Sequence, residues 1–228
     1  MNKKRYLTKS RFKLAKECPT KLFYTGKDLY PDENTGDSFL ESLAKGGFQV
    51  GALAKLYFQE GEYYDLSAES GHNKSVEQTE ELLKKRDVTI FEAAVRFQNL
   101  FIRVDVLVKK GNKVELIEVK AKSAKGDDDA EFLNAKGDKV NSDLRPYLED
   151  VAFQKYVLSQ SHPELKVSAF LMLADKSSTV SVDGLNQVFK IKKEAGRNKV
   201  EVDTVRLKSI GIGNKILVKK CVDEAIDM

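Results

Sequence analysis

The sequence contains few of the side chains on which many enzymes and metal sites depend. Its two cysteines, Cys18 and Cys221, are too few for a disulfide framework. Of its two histidines, His72 lies in a polar segment and His162 precedes a proline, and neither has a partner at metal-ligand spacing. These shortages argue against a zinc site of the Cys/His kind and against catalysis by a Ser-His-Asp triad.

Long apolar runs are also missing. No stretch approaches the roughly 20 apolar residues that a membrane-spanning helix needs. The first residues, MNKKRYLTKS, are basic, but no apolar stretch follows them as it would in a secretory signal. We therefore expect a cytoplasmic protein without a membrane partner.

The chain has the composition of a globular protein. Its 228 residues are 41% hydrophobic and 32% charged, which is enough apolar material for a core and too mixed for disorder. The length suits a single domain. The net charge of +4 permits a nucleic-acid partner without requiring one.

The order of predicted elements indicates one mixed α/β domain over residues 1–228, in three parts. Residues 1–87 read as mainly helical. Residues 88–174 read as three strands, a polar loop, a helix that begins near Pro146, and a buried strand. Residues 175–228 read as a hairpin and a final helix over NKILVKKCVDEAI. The predicted sheet is a three-stranded antiparallel meander, joined in parallel by the strand after the crossover helix.

Each of the three central strands contains an acid within an apolar interior. The stretch IFEAAVRFQNLFIRVDVLVKKGNKVELIEVKAKS carries Glu92, Asp105 and Glu118, with Lys120 two residues later. If the Gly-Asn and Gln-Asn dipeptides form two-residue hairpin turns, Asp105 lies opposite Glu118, and Glu92 lies opposite Asp105. Lys120 then shares a face with Glu118, because side chains alternate along a strand.

A row of three carboxylates repels itself and needs a compensating charge. Opposed side chains in a sheet have Cβ atoms roughly 4.5–5.5 Å apart, and like charges there are destabilising. A divalent cation is the natural compensation, and oxygen ligands favour magnesium or manganese. The alternative is a solvated face that carries these charges by chance. The apolar neighbours of Asp105 and Glu118 argue against this alternative. A shift of one residue in either register would also disperse the row.

Five segments follow one another in a recognisable order: LTKSRFKLAKECPTKLFY, GFQVGALAKLYFQEG, RVDVLV, ELIEVKAKS and VAFQKYVL. Together they resemble the RecB-like branch of the PD-(D/E)XK nuclease superfamily, and are similar to exonucleases of CRISPR adaptation. Asp105 matches the Asp of the motif, residues 118–120 match its (D/E)-X-K, and Gln154 matches the glutamine of the downstream helix. Two positions depart from the pattern: Val104 replaces the Pro, and the GGFQVG segment lacks the histidine that many relatives carry there, with Gln49 as its nearest polar residue.

The resemblance implies a restriction-endonuclease-like fold, in which helices flank the mixed sheet. It also implies hydrolysis of phosphodiester bonds with Mg²⁺ or Mn²⁺. Lys120 would orient or polarise the attacking water, and Gln154 would position the phosphate or Lys120. Four groups are implied as cation ligands: Asp105, Glu118, the Val119 carbonyl and, directly or through water, Glu92.

Some relatives hold an iron–sulfur cluster through one N-terminal and three C-terminal cysteines. Cys18 matches the first of these, but only Cys221 lies near the end, so we expect no cluster on this chain. The sequence is also consistent with a piece of a longer protein that carries the missing cysteines, and with an additional C-terminal domain or a partner protein.

DNA is the expected substrate, in a repair, recombination or defence context. The candidate nucleic-acid-binding residues are Arg103, Lys122 and Lys125, although each is equally well explained as an ordinary solvated charge. Two other classes remain open: a non-catalytic nucleic-acid-binding module that keeps the nuclease fold, and a metal-binding structural protein. The intact set of Asp105, Glu118 and Lys120 argues against the non-catalytic module.

Overall fold

The computed structural model describes residues 5–31, 37–69, 71–125, 132–134, 136–194 and 197–228. Within these residues there are seven α-helices: α1 (Lys9–Glu17), α2 (Pro19–Tyr24), α3 (Ser38–Leu56), α4 (His72–Leu83), α5 (Arg145–Ser161), α6 (Thr204–Ile210) and α7 (Asp223–Ile226). There are nine strands: β1 (Leu7–Thr8), β2 (Tyr63–Asp65), β3 (Asp87–Phe97), β4 (Leu100–Lys110), β5 (Lys113–Ala124), β6 (Lys166–Asp175), β7 (Phe189–Glu194), β8 (Arg197–Val202) and β9 (Leu217–Cys221). The predicted mixed α/β class is confirmed.

Seven strands form one mixed sheet. The order is β2-β3-β4-β5-β6-β9, and β1 pairs with β4 off this path. Strands β3, β4 and β5 form the predicted antiparallel meander, and β6, which follows α5, pairs in parallel with β5 as predicted. Strands β7 and β8 form a separate hairpin.

The sheet is covered on both faces, because neighbouring residues of its central strands belong to different apolar clusters. Leu116 shares a cluster with Val151 and Leu158 of α5, whereas Ile117 shares the other with Leu53 of α3. Each large apolar side chain buried in this way stabilises the fold by roughly 1.5–3 kcal/mol. The central strands are therefore held rigidly from both sides, which makes them a firm base for polar side chains at their ends.

The N-terminal helix α1 is fixed beside the middle of the sheet. Strand β1 pairs in parallel with Leu100–Phe101 at the start of β4. The hydroxyl of Thr8 then caps α1 by accepting a hydrogen bond from the Arg11 amide. Phe12 of α1 stacks on Phe153 of α5, with ring centroids 4.8 Å apart. Helices α1 and α5 therefore face each other over the same part of the sheet.

The predicted final helix is largely wrong. Leu217–Cys221 form β9, an edge strand that pairs antiparallel with β6, and only Asp223–Ile226 are helical. Lys219 of β9 also forms an ion pair with Glu115 of β5, with Nζ 2.6 Å from Oε2. Main-chain pairing along β6 therefore decides the conformation here, as sheet context often overrides local propensity. Among the described residues, no helix has the length and apolar character that a membrane crossing needs.

Candidate active site

Both predicted hairpin turns are present, and they give the predicted registers. Gln98–Asn99 join β3 to β4, and Gly111–Asn112 join β4 to β5. The first residue of each turn has a positive φ, 53° for Gln98 and 60° for Gly111, as tight two-residue hairpin turns require. The acids of β3, β4 and β5 are therefore in the relative positions that the sequence predicts.

Strands β4 and β5 separate where the acids lie. The last pair between them is Val106 with Ile117, and Asp105 and Glu118 are the next residue on each strand. We call this point the strand fork. The Asp105 Oδ2 atom accepts a hydrogen bond of 2.8 Å from the Val119 amide. The carboxylate thus replaces the main-chain acceptor that β4 would offer if the antiparallel ladder continued.

Glu118 is almost completely buried, with 1% of its surface exposed, and its carboxylate accepts from three side chains. The ammonium groups of Lys9 and Lys120 lie 2.5 and 2.6 Å from Oε1. The side-chain amide of Gln154 donates to Oε2 over 2.7 Å. Hydrogen bonds to an ionised group are about twice as strong as neutral ones. The structure thus joins the predicted Lys120 and Gln154 at Glu118 and adds Lys9, which the sequence argument did not include.

A second buried acid, Asp150 of α5, lies next to this carboxylate and was also missed. It is 0% exposed, and its Oδ2 atom lies 2.9 Å from the Lys13 ammonium and 3.1 Å from that of Lys120. Neither contact has hydrogen-bond geometry, and Oε1 of Gln154 is likewise buried without a hydrogen-bond partner among the described residues. Polar atoms buried in this state usually mark a place for water or a ligand.

One spacing signal could have found the missed residues. Lys9 and Lys13 are four residues apart on α1, and Asp150 and Gln154 are four residues apart on α5. Residues at that spacing share one face of a helix. The signal is weak by itself, because it becomes informative only when the two helices are known to face each other.

The two carboxyl groups at the strand fork titrate far apart. Burial, together with repulsion from Glu118 and Glu92, raises the pKa of Asp105 to about 7 from its ordinary value of 3.8. Burial also opposes ionisation of Glu118, but attraction to Lys9 and Lys120 outweighs it and lowers the pKa to about 2. Environments that separate the pKa values of neighbouring acids are typical of functional sites.

The lysines of the site stay protonated. Burial disfavours their charge, but attraction to Glu118 outweighs it and raises the pKa of both Lys9 and Lys120. At neutral pH the site therefore combines firmly held ammonium groups with one carboxyl, that of Asp105, whose proton is loosely held.

Glu92 lies at an irregular point of β3, close to the strand fork. Its φ of 57° is left-handed, which is unusual for a residue other than glycine. Its neighbours pair with Val104 and Val106, so it lies opposite Asp105 as predicted. Burial raises its pKa, although Lys55 and Arg103 act in the opposite direction.

The predicted set of three carboxylate ligands is not assembled as one group. Within the part of the chain that the structure describes, no three or more His, Cys, Asp or Glu side chains are placed to hold one metal ion. Two parts of the predicted ligand set stay predictions. One is a contact of Glu92 with the cation through water, and the other is coordination by the Val119 carbonyl.

The two remaining carboxylates nevertheless fit a magnesium or manganese ion. One carboxylate oxygen of Asp105 accepts a hydrogen bond from the Val119 amide, and the other oxygen makes no hydrogen bond to any described residue. Mg²⁺ commonly takes only one or two protein carboxylates and completes its shell with water and phosphate oxygens. A cation would also cancel the repulsion from Glu118 that raises the pKa of Asp105.

The three candidate nucleic-acid-binding residues differ in their surroundings. Lys122 and Lys125 are exposed near the end of β5, where the pairing with β6 shifts register between Val119 and Ser123. Arg103 is half-buried and donates to the Glu69 carbonyl over 2.7 Å and to a serine hydroxyl of α4 over 2.8 Å. The two lysines are therefore at the surface, whereas Arg103 ties β4 to α4.

Other predicted positions lie apart from these contacts. Cys18 and Cys221 are free thiols. Gln49, the nearest polar residue to the missing histidine, donates to the main-chain carbonyls of Asn186 and Phe189. It therefore anchors the turn before β7.

Comparison with known proteins gives no match to a family model, to a curated protein or to a solved structure. The chemistry must therefore be argued from the site itself. The site offers Asp105 with its raised pKa, the buried and ionised Glu118, and the Lys9 ammonium, which contacts Glu118 and attracts Asp105. Together these groups can hold a divalent cation and stabilise an anion.

Proposed function

We propose that this chain is a nuclease of the PD-(D/E)XK type with a restriction-endonuclease-like fold. In this proposal it acts in the cytoplasm and uses Mg²⁺ or Mn²⁺ to hydrolyse phosphodiester bonds in DNA. The observation that carries the proposal is the strand fork, at which Asp105 reaches the Val119 amide while Lys120 contacts Glu118. An Asp on one strand and Glu-X-Lys on the next thus converge on one small volume in the middle of the sheet.

In this proposal Asp105 and Glu118 hold the cation, with the Val119 carbonyl and water-linked Glu92 completing its protein ligands. The bound cation supplies charge neutralisation at the phosphate and a more acidic attacking water. Asp105 must lose its loosely held proton to act as a ligand, which its raised pKa allows near neutral pH.

Lys120 is the residue that acts on the reacting groups. Its ammonium is held by Glu118 at 2.6 Å and lies 3.1 Å from Asp150, so its position is fixed before substrate arrives. A preorganised positive charge stabilises the extra negative charge that develops on the phosphate oxygens in the transition state. Gln154 fixes the other oxygen of Glu118 and so keeps that carboxylate in one orientation.

Lys122 and Lys125 are proposed to contact the DNA backbone on either side of the scissile bond. Both are exposed at the end of the strand that carries Glu118. Contacts of this kind add affinity without sequence preference and weaken with salt. Arg103 is proposed to contribute through the guanidinium nitrogens that are not used by Glu69 and α4.

One observation favours the alternative of a non-catalytic nucleic-acid-binding module. Both oxygens of Glu118 already accept hydrogen bonds from side chains, and the site contains three lysines beside its buried acids. Such a cluster is electrostatically satisfied without a cation, as a retained structural core would be.

The experiment that separates these functions measures Mn²⁺ binding by calorimetry and the cleavage of labelled oligonucleotides. Substrates are single-stranded DNA, double-stranded DNA and RNA, each with Mg²⁺, Mn²⁺ or a chelator. Glu118→Gln removes the proposed ligand, and Glu115→Gln is its control. Glu115 lies on the same strand and pairs with Lys219 away from the site.

The proposal predicts cation-dependent cleavage that Glu118→Gln lowers by at least about 10²-fold and Glu115→Gln leaves unchanged. Binding of DNA without cleavage, with or without a cation, would support the non-catalytic module. Binding of Mn²⁺ without any effect on nucleic acid would support a structural metal protein.

A further inference from the structure

Lys9 occupies the part of Glu118 that a cation would need. Its ammonium lies 2.5 Å from Oε1, and the Lys120 ammonium lies 2.6 Å from the same atom. A carboxylate oxygen has two lone pairs, so these two donors fill Oε1. The other oxygen accepts from Gln154 within the core. A cation that binds Oε1 directly must therefore displace one of the two ammonium groups.

The two lysines are not held equally. Lys120 is anchored on a central strand, and it lies 3.1 Å from a second buried carboxylate, that of Asp150. Lys9 lies at the start of α1, its side chain is 25% exposed, and Glu118 is its one ion-pair partner among the described residues. Its ammonium can swing toward water when released, whereas that of Lys120 would stay beside Asp150. Displacement of Lys9 is therefore the easier exchange.

Helix α1 itself can tolerate this exchange. None of its residues is buried, and its remaining contacts with α5 are the ring of Phe12 on Phe153 and the ion pairs of Lys13 and Lys16. Those contacts keep the helix in place, so release of one side chain at its first residue does not require the helix to leave.

We propose that Lys9 is a built-in competitor for the cation, holding Glu118 when no cation is bound and leaving it when one binds. This inference rests on the proposed function, because it concerns the same cation at the same carboxylate. It gives α1 a role that the Asp105 and Glu118 motif does not contain. The N-terminal helix sets the cation concentration at which the site fills.

The test measures Mn²⁺ affinity by calorimetry in the absence of nucleic acid. Lys9→Met removes the competitor, and Lys16→Met is the control, because it removes the same charge from the same helix at an ion pair with Glu149 rather than with Glu118. A charged hydrogen bond of this kind corresponds to roughly 10- to 100-fold in an equilibrium constant. We therefore expect Lys9→Met to bind Mn²⁺ at least about tenfold more tightly than wild type, and Lys16→Met to stay within about threefold.

Two further variants complete the design. Lys9→Arg keeps the charge and should not bind Mn²⁺ more tightly than wild type, whereas Lys9→Gln provides a second neutral side chain in case Lys9→Met folds poorly. Circular dichroism and melting curves confirm that each variant is folded. The inference would also be supported if wild type bound no Mn²⁺ while both neutral Lys9 variants did. Lys9 would then hold Glu118 too tightly for the cation to displace it.

The remaining outcomes overturn it. Equal affinity in wild type and Lys9→Met, with binding abolished by Asp105→Asn, would refute the competitor and leave the proposed function intact. An equal gain in Lys9→Met and Lys16→Met would show a general effect of charge and refute specific displacement. The absence of Mn²⁺ binding in every variant, the neutral Lys9 variants included, would refute both the inference and the proposed function.

Discussion

Replacement of Asp105 by Asn should stabilise the folded protein at alkaline pH while it abolishes cation binding. The Asp105 carboxylate lies beside ionised Glu118 and near Glu92, and this repulsion, with burial, raises its pKa to about 7. Asn removes the charge but keeps a carbonyl oxygen that can accept from the Val119 amide. A residue whose removal stabilises the fold is usually kept for its function, and in the function proposed here Asp105 is a ligand of the cation.

The magnitude follows from the titration of Asp105. Its folded pKa of about 7 lies above the ordinary value of 3.8, so its contribution to stability is complete below about pH 3.8 and is lost as the pH rises through about 7. At about 1.4 kcal/mol for each pH unit, the loss has a ceiling of about 4 kcal/mol. Weakening the hydrogen bond to Val119 costs roughly 1–2 kcal/mol. A net gain of about 2 kcal/mol near pH 8 should raise Tm by roughly 4–8 °C.

The assay is thermal unfolding of wild type and Asp105→Asn in a chelator, near pH 8 and near pH 4. The Tm gain should be clear near pH 8 and nearly absent near pH 4, where the wild-type carboxyl is protonated in the folded protein. Added Mn²⁺ should raise the Tm of wild type and leave that of the variant unchanged. A variant that is less stable than wild type near pH 8 would refute the electrostatic reasoning about the strand fork.

Three further predictions concern single side chains. Lys120→Met should lower cleavage by about 10²–10³-fold with Mn²⁺ affinity nearly unchanged, and near-wild-type cleavage would remove Lys120 from the mechanism. Gln154→Leu leaves one oxygen of buried Glu118 without a donor and should lower the free energy of unfolding by about 2 kcal/mol in denaturant titrations; an unchanged midpoint would contradict the hydrogen bond. The hydrogen bond between Glu80 and His162 raises the pKa of the histidine and lowers that of the acid, so it stabilises most between about pH 4.5 and 6.5 and weakens on either side. Glu80→Gln should flatten the pH dependence of Tm across that window, and an unaltered profile would show that the pair does not stabilise the fold.

The central part of the fold could be predicted because its signals are local. The Gly-Asn and Gln-Asn turns fix two registers, and those registers place Asp105 and Glu118 on adjacent strands. The strand after α5 was predictable from its apolar run. In each case a few neighbouring residues determine the structure without information from distant parts of the chain.

The rest depends on contacts between distant segments. Lys9 reaches Glu118 across 109 positions of sequence, and no local pattern identifies that pair. The depth of Lys120 was equally hidden, since a lysine near a strand end normally lies at the surface, whereas here it contacts two buried acids. Strand β9 was predicted as a helix because its partner, the edge of β6, is a feature of the assembled sheet.

The strand fork also bears on which ion the proposed cation site would select. The distance between the Asp105 and Glu118 carboxylates is not fixed by the regular spacing of about 4.7–4.9 Å between paired strands, because both residues lie beyond the last pair. It depends on how widely β4 and β5 diverge, and the fully buried Val106 and Ile117 form the wedge at which the divergence begins. Magnesium needs oxygen ligands at about 2.0–2.1 Å and calcium at about 2.3–2.6 Å. If the proposed cation site is present, a change in the volume of that apolar wedge would therefore alter the preferred ionic radius without touching a ligand, and ion selectivity would be partly a property of the hydrophobic core.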